Sequence, residues 1–149
     1  MKIAIGSDHG GYTLKEEVKP FLEKQGHEIK DVGCFSADSV DYPCQAQDVC
    51  RLVLSGQYER GILICGTGIV MSMAANRFRG IRAALCNGIF TAKMSRLHND
   101  ANVLCIGARV TGTGLAIEIV QTWIETGFEG GRHERRICMF DKDTSCEHK

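Results

Sequence analysis

The chain has 149 residues, enough for one domain with a full core, and 44% of them are apolar, so it is expected to fold. Its 18 Lys and Arg balance its 18 Asp and Glu, which argues against nucleic acid or an anionic membrane as the main partner. No apolar run approaches the roughly 20 residues needed to span a bilayer, and the N-terminal run is too short for a signal peptide, so a cytoplasmic protein is expected. Residues 3–6 read as a short apolar strand. Residues 13–25 place Leu14, Val18, Phe21 and Leu22 at helical spacing, with Pro20 inside the pattern, where it should kink the helix or cost a hydrogen bond. Residues 28–32 make a weak second strand, and 43–55 align Ala46, Val49, Cys50 and Val53 on one helical face. The run at 61–65 is apolar throughout, as in a strand covered on both faces. A Gly-rich turn and a short helix over 68–76 follow, then a strand at 81–86, a helix at 89–97 and a strand at 103–107. The clearest helix spans 113–125, with Leu115, Ala116, Ile119, Val120 and Trp123 in register.

Repeated strand–helix units imply a single-domain, three-layer α/β/α fold with a five-stranded parallel sheet, Rossmann-like in outline. No internal repeat or linker divides residues 1–149. In such sheets ligands bind beyond the carboxyl ends of the strands. The turns expected there are Ser7–Gly11, Gly66–Val70 and the stretch after Cys86, and they hold most of the reactive side chains.

The eight cysteines contain no C-x-x-C pair, so neither a zinc site nor a disulfide framework is indicated; in a reducing compartment they should be free thiols, several of them small core residues. Cys65-Gly66-Thr67-Gly68 places one thiol at a strand end beside a glycine turn that opens a helix. Amides there can hold an anion, and helix N-termini in general favour thiolate. A buried Cys beside a tight turn fits the same spacing, and the third glycine of a dinucleotide fingerprint is missing. Asp8 and His9 follow the first strand and could handle hydroxyl protons, or Asp8 could cap a helix with His9 facing solvent. His98 ends the fourth helix, where it could titrate near neutrality or simply stabilise the helix terminus. Arg132 and Arg136, four apart after Gly130-Gly131, share a helical face that suits either a phosphate or plain solvent, and Arg109 is a third candidate clamp.

Together these segments closely resemble the ribose-5-phosphate isomerase B family, which includes the galactose-6-phosphate isomerase subunits. The matching pieces are GSDHGG at 6–11, DYP at 41–43, GILICGTG at 61–68, AAN at 74–76, GIRAALC at 80–86, SRLHNDANVL at 95–104, GAR at 107–109 and GGRH at 130–133. The resemblance implies an aldose–ketose isomerase of the pentose phosphate type that needs no metal or nucleotide cofactor. It implies a homodimer or dimer of dimers with the active site between subunits, residues 130–149 contacting the partner. Cys65 would move the proton between C1 and C2; some members use a glutamate in the glycine loop instead, where this chain has Met71. His98 would open the sugar ring, with Asp8 at the ring oxygen. Thr67 and the amides of Gly66, Gly68 and Val70 would hold the enediolate. Arg109, Arg132 and Arg136, with His9, would hold phosphate, and Tyr42 and Asn99 would line the sugar. Ribose 5-phosphate is the expected substrate, with galactose 6-phosphate, allose 6-phosphate or a non-catalytic binding subunit as alternatives. Two features depart from the family: Val70 stands where the loop usually has its last glycine, and Ile137-Cys138-Met139-Phe140 is followed by a polar tail that looks less helical than family C-termini usually do.

Overall fold

Residues 1–36 and 43–140 are described by the computed structural model. β1 (Lys2–Ser7), β2 (Glu28–Asp31), β3 (Arg60–Cys65), β4 (Ala83–Leu85) and β5 (Val103–Gly107) form one sheet in the order β2-β1-β3-β5-β4. Every pairing is parallel. The crossovers carry α1 (Tyr12–Lys24), α2 (Pro43–Leu54), α3 (Ile69–Ala75) and α4 (Ile89–Leu97), and α5 (Thr113–Glu125) and α6 (Arg132–Ile137) follow β5. The expected three-layer fold is present.

Strand alternation divides the core into two layers. Ile3, Ile5, Ile62, Ile64, Leu104 and Ile106 face one side, where α1, α4 and α5 pack through Val18, Ala92, Ile119 and Trp123. Ala4, Leu63, Cys65, Val103 and Cys105 face the other, covered by α2 and α3 through Val49, Cys50, Met71 and Ala75. β3 and β5 are therefore apolar at successive positions because both of their faces are buried.

Three expectations are corrected. β4 is only three residues long, because the Ile81 N–H bonds to Phe78 O and the Arg82 N–H to Asn102 Oδ1 before the ladder begins. Leu115 is 41% exposed rather than core, since it lies in the first turn of α5, beyond the ends of the strands. Pro20 does not break α1, which continues through it to Lys24; the proline is on the exposed side, where a lost backbone bond is met by water.

Lys15 of α1 is fully buried and makes an ion pair with Asp31 at the end of β2, which Lys19 also reaches at 2.6 Å. Asp31 in turn accepts the Gly33 N–H at 2.8 Å, tying β2, α1 and the segment after β2 together. Burial pushes the Asp31 carboxyl up, but the hydrogen bonds from Lys15, Lys19 and Gly33 outweigh it and hold the group below its ordinary 3.8. The depressed folded-state value means that this stabilisation is complete above the unfolded pKa and is lost as pH falls through the folded one. Asp31→Ala leaves the buried Lys15 ammonium to the more exposed Glu16, 3.1 Å away, and should cost up to about 3–5 kcal/mol at neutral pH. Urea unfolding at pH 7 and at pH 3 checks this: the gap between wild type and variant should narrow at the lower pH.

Candidate active site

At the carboxyl edge of the sheet, β1 and β3 deliver two turns that touch. The Asp8 N–H donates to Ile64 O, and Asp8 Oδ1 accepts the Gly11 N–H at 3.0 Å. Asp8 thus closes its own turn, and the residue that caps α1 is Gly11. Gly10 lies against Gly66 N and Gly11 against Ile64 O, so closely that a Cβ at Gly11 would overlap that carbonyl. The glycines are what allow the Asp8–His9 turn to sit on the Cys65 turn. His9 Nδ1 is buried with no hydrogen-bond partner.

Cys65 closes β3 with its side chain turned towards α3, and its Sγ accepts the Gly68 N–H at 3.0 Å. Gly68 takes φ +77° to aim that amide, a conformation few other residues adopt. No side chain caps α3 from Gly68; Ile69 N–H makes a long 3.4 Å contact with Thr67 Oγ1. Arg109 follows β5, and its side chain lies over Gly66, within about 3.4–3.5 Å of where a Cβ would be. Val70 sits in the first turn of α3; Asp100 is the one non-glycine residue with positive φ among those described. The valine therefore occupies ordinary helical backbone and keeps its N–H. Elsewhere burial pushes the Cys50 thiol up to about 12, and it raises those of Cys86 and Cys105. Those three are core thiols.

His98, Asn99, Arg132 and Arg136 are not at this edge. α4 descends from the carboxyl edge and ends at Leu97, before β5 begins, so His98, its C-cap, lies at the amino edge. α5 descends too: Arg60, the first residue of β3, donates to Trp123 O, Ile124 O and Thr126 O at its end. The Glu129 N–H bonds to Leu97 O, and Gly130 and Gly131, both at positive φ, turn the chain into α6. The two groups of residues are thus separated by the length of a strand, about 15–20 Å.

The turn produces a contact the sequence reading did not assign. The rings of His98 and His133 stack with centroids 4.2 Å apart and planes 8° from parallel. Glu129 Oε2 stands 3.8 Å from Nε2 of each. His133 is buried, His98 part-exposed. Burial, then His98, Arg132 and Arg136, lower the His133 pKa against the opposing pull of Glu129, and Arg132 Nε–H points at His133 Nε2 from 3.4 Å. The three side chains are metal-ligand types within 4.8 Å of one another. Imidazole lone pairs lie in the ring planes, however, and nearly parallel planes do not converge on one ion, so this arrangement does not fit a metal without turning a ring. The one hint in the sequence was Gly-Gly before a basic helix. Asn99 is exposed beside a cleft of about 620 Å³ along the β4 edge, lined by Asn76, Arg82 and Ala101. Tyr42 lies outside the described residues.

The profile of the family described as Ribose/Galactose Isomerase matches residues 3–140. Ribose-5-phosphate isomerase B of Escherichia coli is 48% identical over 136 residues, 91% of each chain. The solved structure of the Clostridium thermocellum ribose-5-phosphate isomerase B superposes with a TM-score of 0.94 at 52% identity, covering 95% of each chain. That of Thermotoga maritima gives 0.92 at 52% identity, covering 94% of this chain and 97% of its own. Similarity of sequence and of fold extends over both edges of the sheet, and this chain belongs to the ribose/galactose isomerase family of enzymes.

Proposed function

We propose that this chain is a metal-independent sugar-phosphate isomerase that interconverts ribose 5-phosphate and ribulose 5-phosphate through an enediolate, in sites each built from two copies of the chain. The observation that carries this is the split of the reactive residues. Asp8, His9, Cys65, the 66–70 turn and Arg109 occupy the carboxyl edge, and His98, Asn99, Arg132 and Arg136 the amino edge. One chain cannot bring them to one small molecule, whereas a two-fold pair of chains forms two whole sites. The carboxyl edge also carries exposed apolar side chains suited to a partner, Ile69 and Met73 of α3, Phe90 of α4 and Val110 after β5.

In each site His98 of one copy moves the proton as the sugar ring opens: the C1–O bond breaks, the anomeric hydroxyl loses its proton and the ring oxygen, beside Asp8, gains one. Cys65 of the other copy, as thiolate, takes the C2 proton. The electron pair moves to the carbonyl oxygen, giving an enediolate held by Thr67 and the amides of the 66–70 turn. Passage of the hydroxyl proton from the C2 oxygen to the C1 oxygen, with return of the carbon-bound proton to C1 as the C2 carbonyl forms, yields the ketose. Arg132 and Arg136 hold the phosphate with His9 and Arg109, and Tyr42 and Asn99 line the sugar.

Isomerase assays on reduced protein, with a chelator present, should show turnover of ribose 5-phosphate well above that of allose or galactose 6-phosphate. Cys65→Ala and His98→Ala should each lose about 10²–10⁴-fold in kcat. Mixing the two variants under subunit exchange should recover activity, because each mixed pair contains one site with both residues intact. Absence of recovery with mixed pairs present would remove the two-chain site, and loss of activity with the chelator would remove the metal-free route.

Arg132→Ala and Arg136→Ala should each raise KM for the sugar phosphate by about tenfold to a hundredfold, the worth of a charge-assisted contact of roughly 1.5–3 kcal/mol. Unchanged KM and unchanged inhibition by inorganic phosphate in both variants would place the clamp elsewhere. Val70→Gly should change kcat/KM by less than about tenfold, since Val70 is already in helical backbone. A hundredfold rise on the same substrate preparation would mean that the natural loop is defective and that the chain acts as a binding subunit.

A further inference from the structure

The stacked pair at the amino edge goes beyond the residues assigned above. We infer that His133 and Glu129 are positioning residues for His98, His133 as the floor that fixes the plane of its ring and Glu129 as the anion that steadies a proton on it. This rests on the proposed role of His98 in ring opening.

Three observations support it. The His133 ring is buried, with Arg132 Nε 3.4 Å from its Nε2, while the His98 ring stacked on it is 38% exposed. A histidine used for proton transfer loses rate if its ring turns, and an exposed ring at a helix end has little else to stop it. Glu129 Oε2 is equally distant, 3.8 Å, from Nε2 of each ring, a charge contact rather than a hydrogen bond. Two stacked imidazolium ions would repel, and a single carboxylate faces both rings. Burial, His98, Arg132 and Arg136 all disfavour protonation of the His133 ring, which fits it as the supporting partner of the pair.

The two halves of the reaction give a test that separates this role from a merely structural one. Ribulose 5-phosphate cannot close a five-membered ring, because the hydroxyl it would use carries the phosphate. Exchange of its C1 hydrogen for solvent deuterium therefore needs Cys65 but no ring opening or closing. Both reactions would be measured in wild type, His133→Ala, His133→Phe and Glu129→Gln, with His98→Ala and Cys65→Ala as controls and thermal unfolding as a check on folding. His133→Ala should lower kcat for ribose 5-phosphate by about tenfold or more while the exchange stays within about threefold of wild type. His133→Phe, which keeps a flat ring beneath His98, should recover most of the loss. Glu129→Gln, at an exposed position, should show the same selective loss, smaller in size. Equal loss of both reactions, or loss of neither in folded variants, would overturn the proposal, as would His133→Phe behaving like His133→Ala. If His98→Ala itself turns over ribose 5-phosphate normally, the ring-opening reading fails and the positioning role falls with it; if His98→Ala fails and the His133 and Glu129 variants do not, only the positioning role is lost.

Discussion

The parallel direction of all five strands is the constraint on which the rest of the molecule depends. In a parallel sheet each strand ends at the same edge, so every strand-to-helix turn collects there and every helix returns its C-terminus to the other edge. Ser7, Cys65 and Gly107 end β1, β3 and β5 side by side, and their turns can touch. His98 ends a helix and Arg132 follows one, and no local adjustment can carry either across the sheet. Chemistry that needs both kinds of residue must recruit a second copy. The intersubunit site proposed here is a consequence of strand direction before it is a matter of surface complementarity.

Much of the carboxyl edge is built from backbone. Gly11 against Ile64 O, and Gly107 against the Thr67 backbone, bring neighbouring turns closer than side chains would allow, and Gly68 reverses φ to aim one amide at Cys65 Sγ. The distinction among the thiols follows from the same geometry. Cys50, Cys86 and Cys105 are enclosed by the core, where burial opposes ionisation. Cys65 is also buried, at 3% exposure, but it is the one at a strand end with a backbone N–H directed onto its sulfur. Position on the sheet, more than exposure, separates the candidate base from the packing residues.

Elements with a strong period were readable from sequence. The spans 103–107 and 113–125 coincide with β5 and α5, because a doubly covered strand is continuously apolar and an amphipathic helix repeats every 3.6 residues. β4 was overextended because Ile81 and Arg82 look like strand residues while their amides serve turns. The reactive residues of the carboxyl edge were readable because they sit on glycine turns directly after strands. The stack of His133 on His98 was not. It joins residues 35 positions apart through two positive-φ glycines, and neither spacing nor composition encodes the angle at which that turn returns the chain. His133 was visible as part of a motif, yet its neighbour was decided by tertiary structure alone.

The two edges also differ in the kind of charge they stabilise, and the difference matches the two ends of the proposed substrate. The reacting carbons develop a diffuse negative charge only during the reaction. Fixed amides suit it, since they are already oriented when the charge appears and carry no net charge to attract counterions beforehand. The phosphate is charged throughout, and guanidinium groups bind it in the ground state and the transition state alike, which serves affinity rather than rate. Amides of the 66–70 turn lie at one edge and Arg132 and Arg136 at the other. Arg109, lying over Gly66, is the cation that stays with the amides, near enough to contribute to both tasks. In the proposed two-fold arrangement the amides of one chain would meet the Arg132 and Arg136 pair of the other, together with His98, so that neither chain alone would hold the whole substrate in a position to react.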